Sequence, residues 1–169
     1  GGVFIISGPS GSGKDTVMTE LFKKMPELLF SISSITRAMR PGEREGEKYN
    51  FITREKFEDM LKNDRLLEHN EFVGNYYGTP REPVERAVAN GQDMVIEVDV
   101  NGAAQIREKM PEAVSIFIMP PSFAELKRRL SGRGTESEEL IQKRLASALG
   151  EIKRAVEYDY IVVNEDITA

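Results

Sequence analysis

The apolar run Val3-Phe4-Ile5-Ile6 leads directly into GPSGSGKD, residues Gly8 to Asp15, and then into a stretch with helical periodicity. Gly8, Gly13 and Lys14 give the G-x-x-x-x-G-K spacing of a phosphate-binding loop. Few features constrain a fold so tightly, because the motif works only between the end of a strand and the start of a helix. Its glycines let the backbone turn sharply and bring N–H groups up to phosphate oxygens. The helix that follows points the positive end of its dipole at the same phosphates, and Lys14 adds a full charge. The segment Gly8, Pro9, Ser10, Gly11, Ser12, Gly13, Lys14, Asp15 and Thr16 is therefore the expected seat of a nucleoside triphosphate. The competing reading is a Gly-rich strand-to-helix turn with Asp15 at a helix start, where an acid is favourable. The motif normally ends on Ser or Thr, whose hydroxyl ligates Mg²⁺. Here that position is Asp15, and Thr16 comes one residue late.

Three more apolar runs repeat the strand signal: Met94–Val98, Ser115–Met119 and Tyr160–Val163. Continuous runs suit parallel strands covered on both faces. Helical patterns separate most of them. Val17, Leu21, Phe22 and Met25 share one face after the loop, Ser122 and Glu125 form a capping-box pattern before Leu126 and Leu130, and residues 140–152 carry a long apolar stripe. This alternation predicts a doubly wound α/β core. Residues 31–88 break the rhythm with short β-like pieces (Phe30–Ser34, Tyr49–Ile52, Glu71–Tyr77) around one helical segment, Arg54 to Leu67. They read as an inserted, mostly β subdomain hanging over the phosphate loop. No internal repeat or low-complexity tract is apparent.

Composition narrows the function classes. With no cysteine, a disulfide framework and thiolate zinc sites are excluded, which fits a reducing compartment. A net charge of −5 argues against a general nucleic-acid surface. No apolar run approaches the ~20 residues of a bilayer span, and no signal peptide is visible, so a cytoplasmic enzyme without a membrane partner is expected. The chain opens on Gly1 with no Met, as a trimmed chain would.

The charges concentrate at a few places. Glu97 and Asp99 close the second apolar run, and ligands of open parallel sheets bind beyond the carboxyl ends of strands. An acid there can hold Mg²⁺ directly or through water, or it can be a solvated loop residue. Arg37 and Arg40 put two guanidinium forks in a turn-rich segment ending Pro41-Gly42-Glu43, which suits a phosphate monoester or merely a solvated pair. Arg133 lies between Gly132 and Gly134, as a flap that brings a cation over phosphates would have it, with Arg129 and Arg144 on either side. His69 is the single histidine and is given no catalytic role. Of Tyr76 and Tyr77, adjacent on a strand, one is free to reach a ligand.

The strings GPSGSGK, SISSITRAMRPGE, GEKYNF, GNYYGTP, IEVDVNGA, RRLSGRGTESEE and YIVVNED together closely resemble the guanylate kinase family. They stand in that family's order over nearly the whole chain. The resemblance implies Mg²⁺-dependent transfer of the ATP γ-phosphoryl group to GMP. It also implies a single domain over 1–169 with a core (about 1–30, 92–130 and 145–169), a GMP-binding subdomain (about 31–88) and a lid (about 131–144). Matched position by position, it puts Lys14 and the loop amides on the ATP phosphates and Asn164 near adenine. Arg37, Arg40, Tyr49 and Tyr77 fall on the GMP phosphate, and Ser33, Glu68 and Thr79 on guanine. Glu97 and Asp99 lie near base, ribose and metal, with Asp99 meeting the metal through water and Asp15 a second candidate. Arg129, Arg133 and Arg144 stabilise the transferring phosphoryl group, which makes Lys14, Arg37, Arg133 and Arg144 the catalytic set.

Guanine selection has its own logic. One carboxylate accepts both N1–H and the N2 amine, while hydroxyls of Ser33 and Thr79 can donate to O6; adenine would leave these groups unpaired. The chain departs from the family pattern at Asp15, at Ile35 (commonly Thr) and at Met39 (commonly Pro), and it stops soon after Asn164, ahead of the usual C-terminal helix. A second function class is a binding module, since guanylate-kinase-like domains of membrane-associated scaffold proteins bind phosphopeptides. The intact Lys14, Asp99 and lid arginines speak against it.

Overall fold

A computed structural model describes residues 1–131 and 137–165. In chain order the elements are β1 (Val3–Ser7), α1 (Lys14–Lys24), β2 (Leu29–Phe30), β3 (Ser33–Ile35), β4 (Tyr49–Phe51) and α2 (Arg54–Lys62). Then come β5 (Leu66–Phe72), β6 (Asn75–Pro80), α3 (Arg81–Ala89), β7 (Met94–Glu97), α4 (Val100–Lys109) and β8 (Val114–Met119). Finally α5 (Phe123–Ser131), α6 (Glu138–Lys153), a 3₁₀ turn (Arg154–Glu157) and β9 (Tyr160–Val163) complete the described chain.

The four apolar runs, with the short β2 at one edge, form a parallel sheet in the order β2-β7-β1-β8-β9. Its strands are apolar on both faces, as the continuous runs require. On one face Val3, Ile5, Met94, Ile96 and Phe117 pack with Val84 and Ala87 of α3 and Val100, Ala103 and Ile106 of α4. On the other, Ile6, Val95 and Ile118 pack with Met18 of α1. Each such side chain, moved fully out of water, contributes roughly 1.5–3 kcal/mol. Leu126, Leu130, Ile141, Leu145 and Ala148 seal α5 against α6 in a third cluster. The Ser122 hydroxyl accepts from Glu125 N–H at 3.1 Å, half of the expected capping box, while the Glu125 carboxylate turns to Arg128 and Arg129 instead.

A second sheet, mixed and ordered β4-β3-β6-β5, interrupts the core. Several local expectations change here. The helix that starts at Arg54 stops at Lys62 and not at Leu67, because Asn63 caps it and Asp64 takes a positive φ of 54°. Leu66 and Leu67, helical by periodicity, begin β5 and are fully buried in it. The run Glu71–Tyr77 is a hairpin that reverses at Val73-Gly74, so it belongs to two strands. Phe30–Ser34 is likewise divided: β2 joins the core sheet and β3 the mixed one. Helix α3 was not expected and packs on the core through Val84 and Ala87. Met25 lies beyond the end of α1 and is exposed.

The two sheets meet along one seam, where β5 lies against α4. Gln105 reads the His69 backbone from both sides, accepting from its N–H at 3.1 Å and donating to its carbonyl at 3.2 Å. Lys109 Nζ donates to Asp64 at 2.7 Å and to the Leu66 carbonyl at 2.9 Å. Among the described residues no helix is long and apolar enough to cross a membrane.

Candidate functional site

The loop between β1 and α1 is held from outside by side chains distant in sequence. Gly13 caps α1 at φ 82°, a left-handed conformation that disfavours any side chain, and a Cβ there would collide with Asn164. The Asn164 amide donates to the Ser12 carbonyl at 2.9 Å, and its own backbone is tied to Met119 at the end of β8. Arg129 reaches across from α5. Nη1 donates to the Gly11 and Ser12 carbonyls at 3.2 and 3.3 Å, Nη2 to the Asn164 carbonyl at 3.3 Å, and Nε to Glu125 at 3.0 Å. Arg129 thus makes four hydrogen bonds, two of them to the loop itself. Lys14 Nζ rests 3.2 Å from Glu97 Oε1 and 3.4 Å from the Gly8 carbonyl. The register that pairs Glu97 with Ile6 puts this carboxylate beside the loop.

A cleft of about 360 Å³ separates the loop at Ser10 and Gly11 from α6, which presents Arg144 and Glu151. Sequence reading missed Glu151. It is half-buried, and desolvation raises its carboxyl above the ordinary range, opposed by Lys14 and reinforced by Asp99. The only sequence cue would have been its two-turn spacing from Arg144 on one helix face. Arg133, central to the expected lid, lies outside the described residues. Asp15 is exposed in the first turn of α1, beside Met18, Phe22 and Phe30, and Thr16 is half-buried. Among the described residues no three acids or histidines cluster as a metal cage.

The mixed sheet carries two polar groupings. At the seam, Glu68 is 6% exposed and its Oε1 accepts from the Thr79 hydroxyl at 2.7 Å across the β5–β6 pair. Burial raises the Glu68 carboxyl; the Thr79 bond lowers it in part, and the charge of Asp99 adds to the rise. Asp99 caps α4, accepting from Gly102 N–H at 2.8 Å. A Cβ on Gly102 would lie 3.1 Å from Glu68 Oε2 and 3.3 Å from Asp99 Oδ1, so the seam needs glycine for this close approach. Thr79 corrects one expectation. Its single hydroxyl proton is spent on Glu68, so it offers an incoming base an acceptor in place of a donor.

Farther along the sheet, Ser33 of β3 pairs in register with Tyr49 of β4, and Ile35 with Tyr77 of β6. Arg37 follows β3 and lies over the Tyr49 and Phe51 rings at 5.4 and 5.6 Å. Tyr77 and Tyr49 both bear on its charge. Tyr76 faces away and stacks on Phe57, which leaves Tyr77 as the tyrosine toward Arg37. Sequence reading did not foresee that Arg37 is already paired with Glu43, nor that Arg40 enters this grouping through its backbone N–H while its side chain is exposed.

Comparison with known proteins finds similarity along the whole of this chain. The family model described as guanylate kinase matches residues 2–169. The guanylate kinase of Trichormus variabilis is 52% identical over 169 residues, covering 100% of this chain and 85% of that protein. That of Escherichia coli is 49% identical over 168 residues, covering 98% and 81%. Among solved structures, guanylate kinase from Anaplasma phagocytophilum matches with a TM-score of 0.74 at 38% identity, over 99% of this chain and 79% of that one.

Proposed function

The chain belongs to the guanylate kinase family and is an ATP:GMP phosphotransferase, and from that premise we propose how its own residues carry out the transfer. The α-face of the reaction is the phosphate loop. Amides of residues 8–14 and the Lys14 ammonium bind the ATP β- and γ-phosphates, and Lys14 exchanges its Glu97 partner for phosphate oxygens. Arg129 and Asn164 act from behind, holding the loop carbonyls so that its amides point at the ligand.

GMP lies along the mixed sheet. Its phosphate takes Arg37, Arg40, Tyr49 and Tyr77; its base takes Ser33, Glu68 and Thr79. Glu68 accepts from guanine N1–H and N2 amine, while the Thr79 hydroxyl fixes the orientation of the carboxylate. Glu97 and Asp99 border base and ribose at the seam. The observation that carries this reading is a carboxylate buried on a β-sheet, held by one hydroxyl and left with acceptor capacity to spare. Desolvation of Glu68 is favourable only when donors arrive to replace water.

The acceptor is already an anion, so no strong base is needed. Positioning and charge stabilisation do the work. Arg144 and Arg133 neutralise the charge on the transferring group as the lid segment (about 131–144) closes on the core and on the GMP-binding segment (about 31–88), and closure keeps water from competing as acceptor. The donor set fits Mg²⁺, a hard cation that keeps waters and takes one or two carboxylates beside substrate phosphates. Asp99 is exposed and uses only Oδ1 as a helix cap among the described residues, and Asp15 is exposed at the start of α1. Asp99, through water, would hold the ion, with Asp15 a second candidate at most, and the ion would neutralise charge on the β- and γ-phosphate oxygens.

The test is Glu68→Gln, measured as ADP formation with GMP, AMP, UMP and no acceptor. We expect kcat/KM for GMP to fall about 100-fold, the value of a charge-assisted pair of hydrogen bonds, with KM for ATP unchanged. Retained GMP selectivity would remove Glu68 from base recognition.

A further inference from the structure

Glu43 has no task in the reading above, yet it is among the most strongly bonded carboxylates of the mixed-sheet region. It closes the turn Arg40-Pro41-Gly42-Glu43, in which Gly42 takes φ 87° and Glu43 N–H donates to the Arg40 carbonyl at 3.0 Å. Proline then glycine with positive φ is the type II pattern. The turn folds the carboxylate back on the chain. Oε1 accepts from Arg37 Nη1 at 2.7 Å and from Arg40 N–H at 2.7 Å, and Oε2 accepts from Arg37 Nη2 at 2.8 Å. The second Nη1 proton of Arg37 goes to the Ala38 carbonyl at 3.1 Å. The Arg37 guanidinium and the Arg40 amide together hold the Glu43 carboxyl down to about 2, and Glu43 in turn raises Arg37.

A guanidinium carries five N–H donors arranged as two forks, one across Nη1 and Nη2 and one across Nε and Nη2. Glu43 and Ala38 occupy three donors, all on Nη1 and the near side of Nη2. Nε–H and the second Nη2–H make no hydrogen bond among the described residues. They form one edge, matched to two oxygens of a phosphate. The Tyr49 and Phe51 rings stand 5.4 and 5.6 Å from the guanidinium carbon and limit its movement on that side. The carboxylate therefore does not compete for the phosphate-binding edge; it selects the edge on offer.

We propose that Glu43 is a positioning residue for the acceptor: by gripping the Nη1–Nη2 fork of Arg37 it presents the Nε–Nη2 fork to the phosphate of GMP. This rests on the reading that Arg37 binds that phosphate. Two physical effects oppose each other when Glu43 becomes neutral. Losing a negative charge favours an incoming anion, and in a pair only 12% and 20% exposed that effect counts. Losing the grip releases Arg37 into several rotamers, and ordering it again weakens binding. On this proposal orientation outweighs charge, so the sign of the change tests it.

The experiment measures GMP and guanosine affinity by calorimetry for the wild type, Glu43→Gln and Arg37→Lys. Guanosine has the base and ribose but no phosphate. In Glu43→Gln we expect GMP to bind about tenfold more weakly with guanosine unchanged, and KM for ATP to stay at the wild-type value. Tighter GMP binding would make Glu43 a competing anion and overturn the proposal. An unchanged GMP-to-guanosine ratio would overturn it too, whether both affinities hold or both fall as the arm loses its shape. Arg37→Lys tests the underlying reading separately, since a ratio unaffected by that change would take Arg37 off the phosphate whatever Glu43 does.

Discussion

The phosphate loop and the mixed-sheet region are held in shape by opposite means. The loop is a contiguous backbone segment with side chains as braces: Arg129 and Asn164 bond its carbonyls. In the mixed-sheet region polar side chains from four strands and a turn stand together, and two of them are held by another side chain: Arg37 by Glu43, Glu68 by Thr79. The first follows directly from β1 of the core sheet. The second is joined to that core along the β5–α4 seam, and its far arm, β4 and the turn after β3, is held by local bonds. One region is therefore expected to fail through lost charge or lost bracing, and the other through lost orientation.

The largest effect should come from removing the loop's one charged side chain. Lys14→Met is expected to lower kcat/KM by about 10³-fold while leaving GMP affinity within about twofold, checked by coupled ADP assay and calorimetry. A parallel loss of GMP affinity would blur the division between the two regions. Next comes the brace. Arg129→Ala removes three hydrogen bonds to loop and Asn164 carbonyls and should cost about 2 kcal/mol in denaturant unfolding. KM for ATP should rise about tenfold, with that for GMP unmoved.

On the side-chain-built region, acidity is the sharper tool. Burial raises the Glu68 carboxyl, so over the window between its ordinary value of 4.5 and its raised folded value the native state holds more protons than the unfolded one. Glu68 thus makes the protein more stable as pH falls through that window. Binding runs the other way, because only the ionised form accepts both guanine donors. The acid limb of kcat/KM for GMP should lie above the ordinary carboxylate range and disappear in Glu68→Gln, leaving only the limb of the GMP phosphate itself. A pH profile identical in both proteins would show that the buried carboxylate does not set the limb. The smallest change expected is at Asp15. Its exposed place in the first turn of α1 makes an acid there mildly favourable, and Asp15→Ser should move turnover by no more than about threefold across a Mg²⁺ titration. A rise of orders of magnitude would mark Asp15 as an impairing residue.

Legibility follows the same division. The strand, loop and helix of residues 3–24 could be read directly, because their chemistry depends on neighbours within a dozen positions. The mixed sheet was read as β-rich, but with pieces that ran β2 into β3 and β5 into β6. Leu66 and Leu67 have a helix-compatible spacing after Arg54, and only their pairing with β6 makes them strand. The Arg37–Glu43 pair was within reach of sequence, since Pro41-Gly42 signals a turn that brings positions 40 and 43 together. What it did not reveal was which edge of the guanidinium the carboxylate would take.

The sequence by itself determined that a phosphate-loop motif follows a buried strand, that parallel strands alternate with helices, and that the chain resembles the guanylate kinase family. Only the tertiary structure decided that Arg129 braces the loop from α5, that Lys14 rests on Glu97, that Thr79 spends its proton on Glu68, and that β2 and β3 belong to different sheets. The physical reason is range. Backbone turns and helix caps are fixed by covalent neighbours, whereas a hydrogen bond between residues 118 or 152 positions apart exists only after the sheets have packed and water has been removed around it.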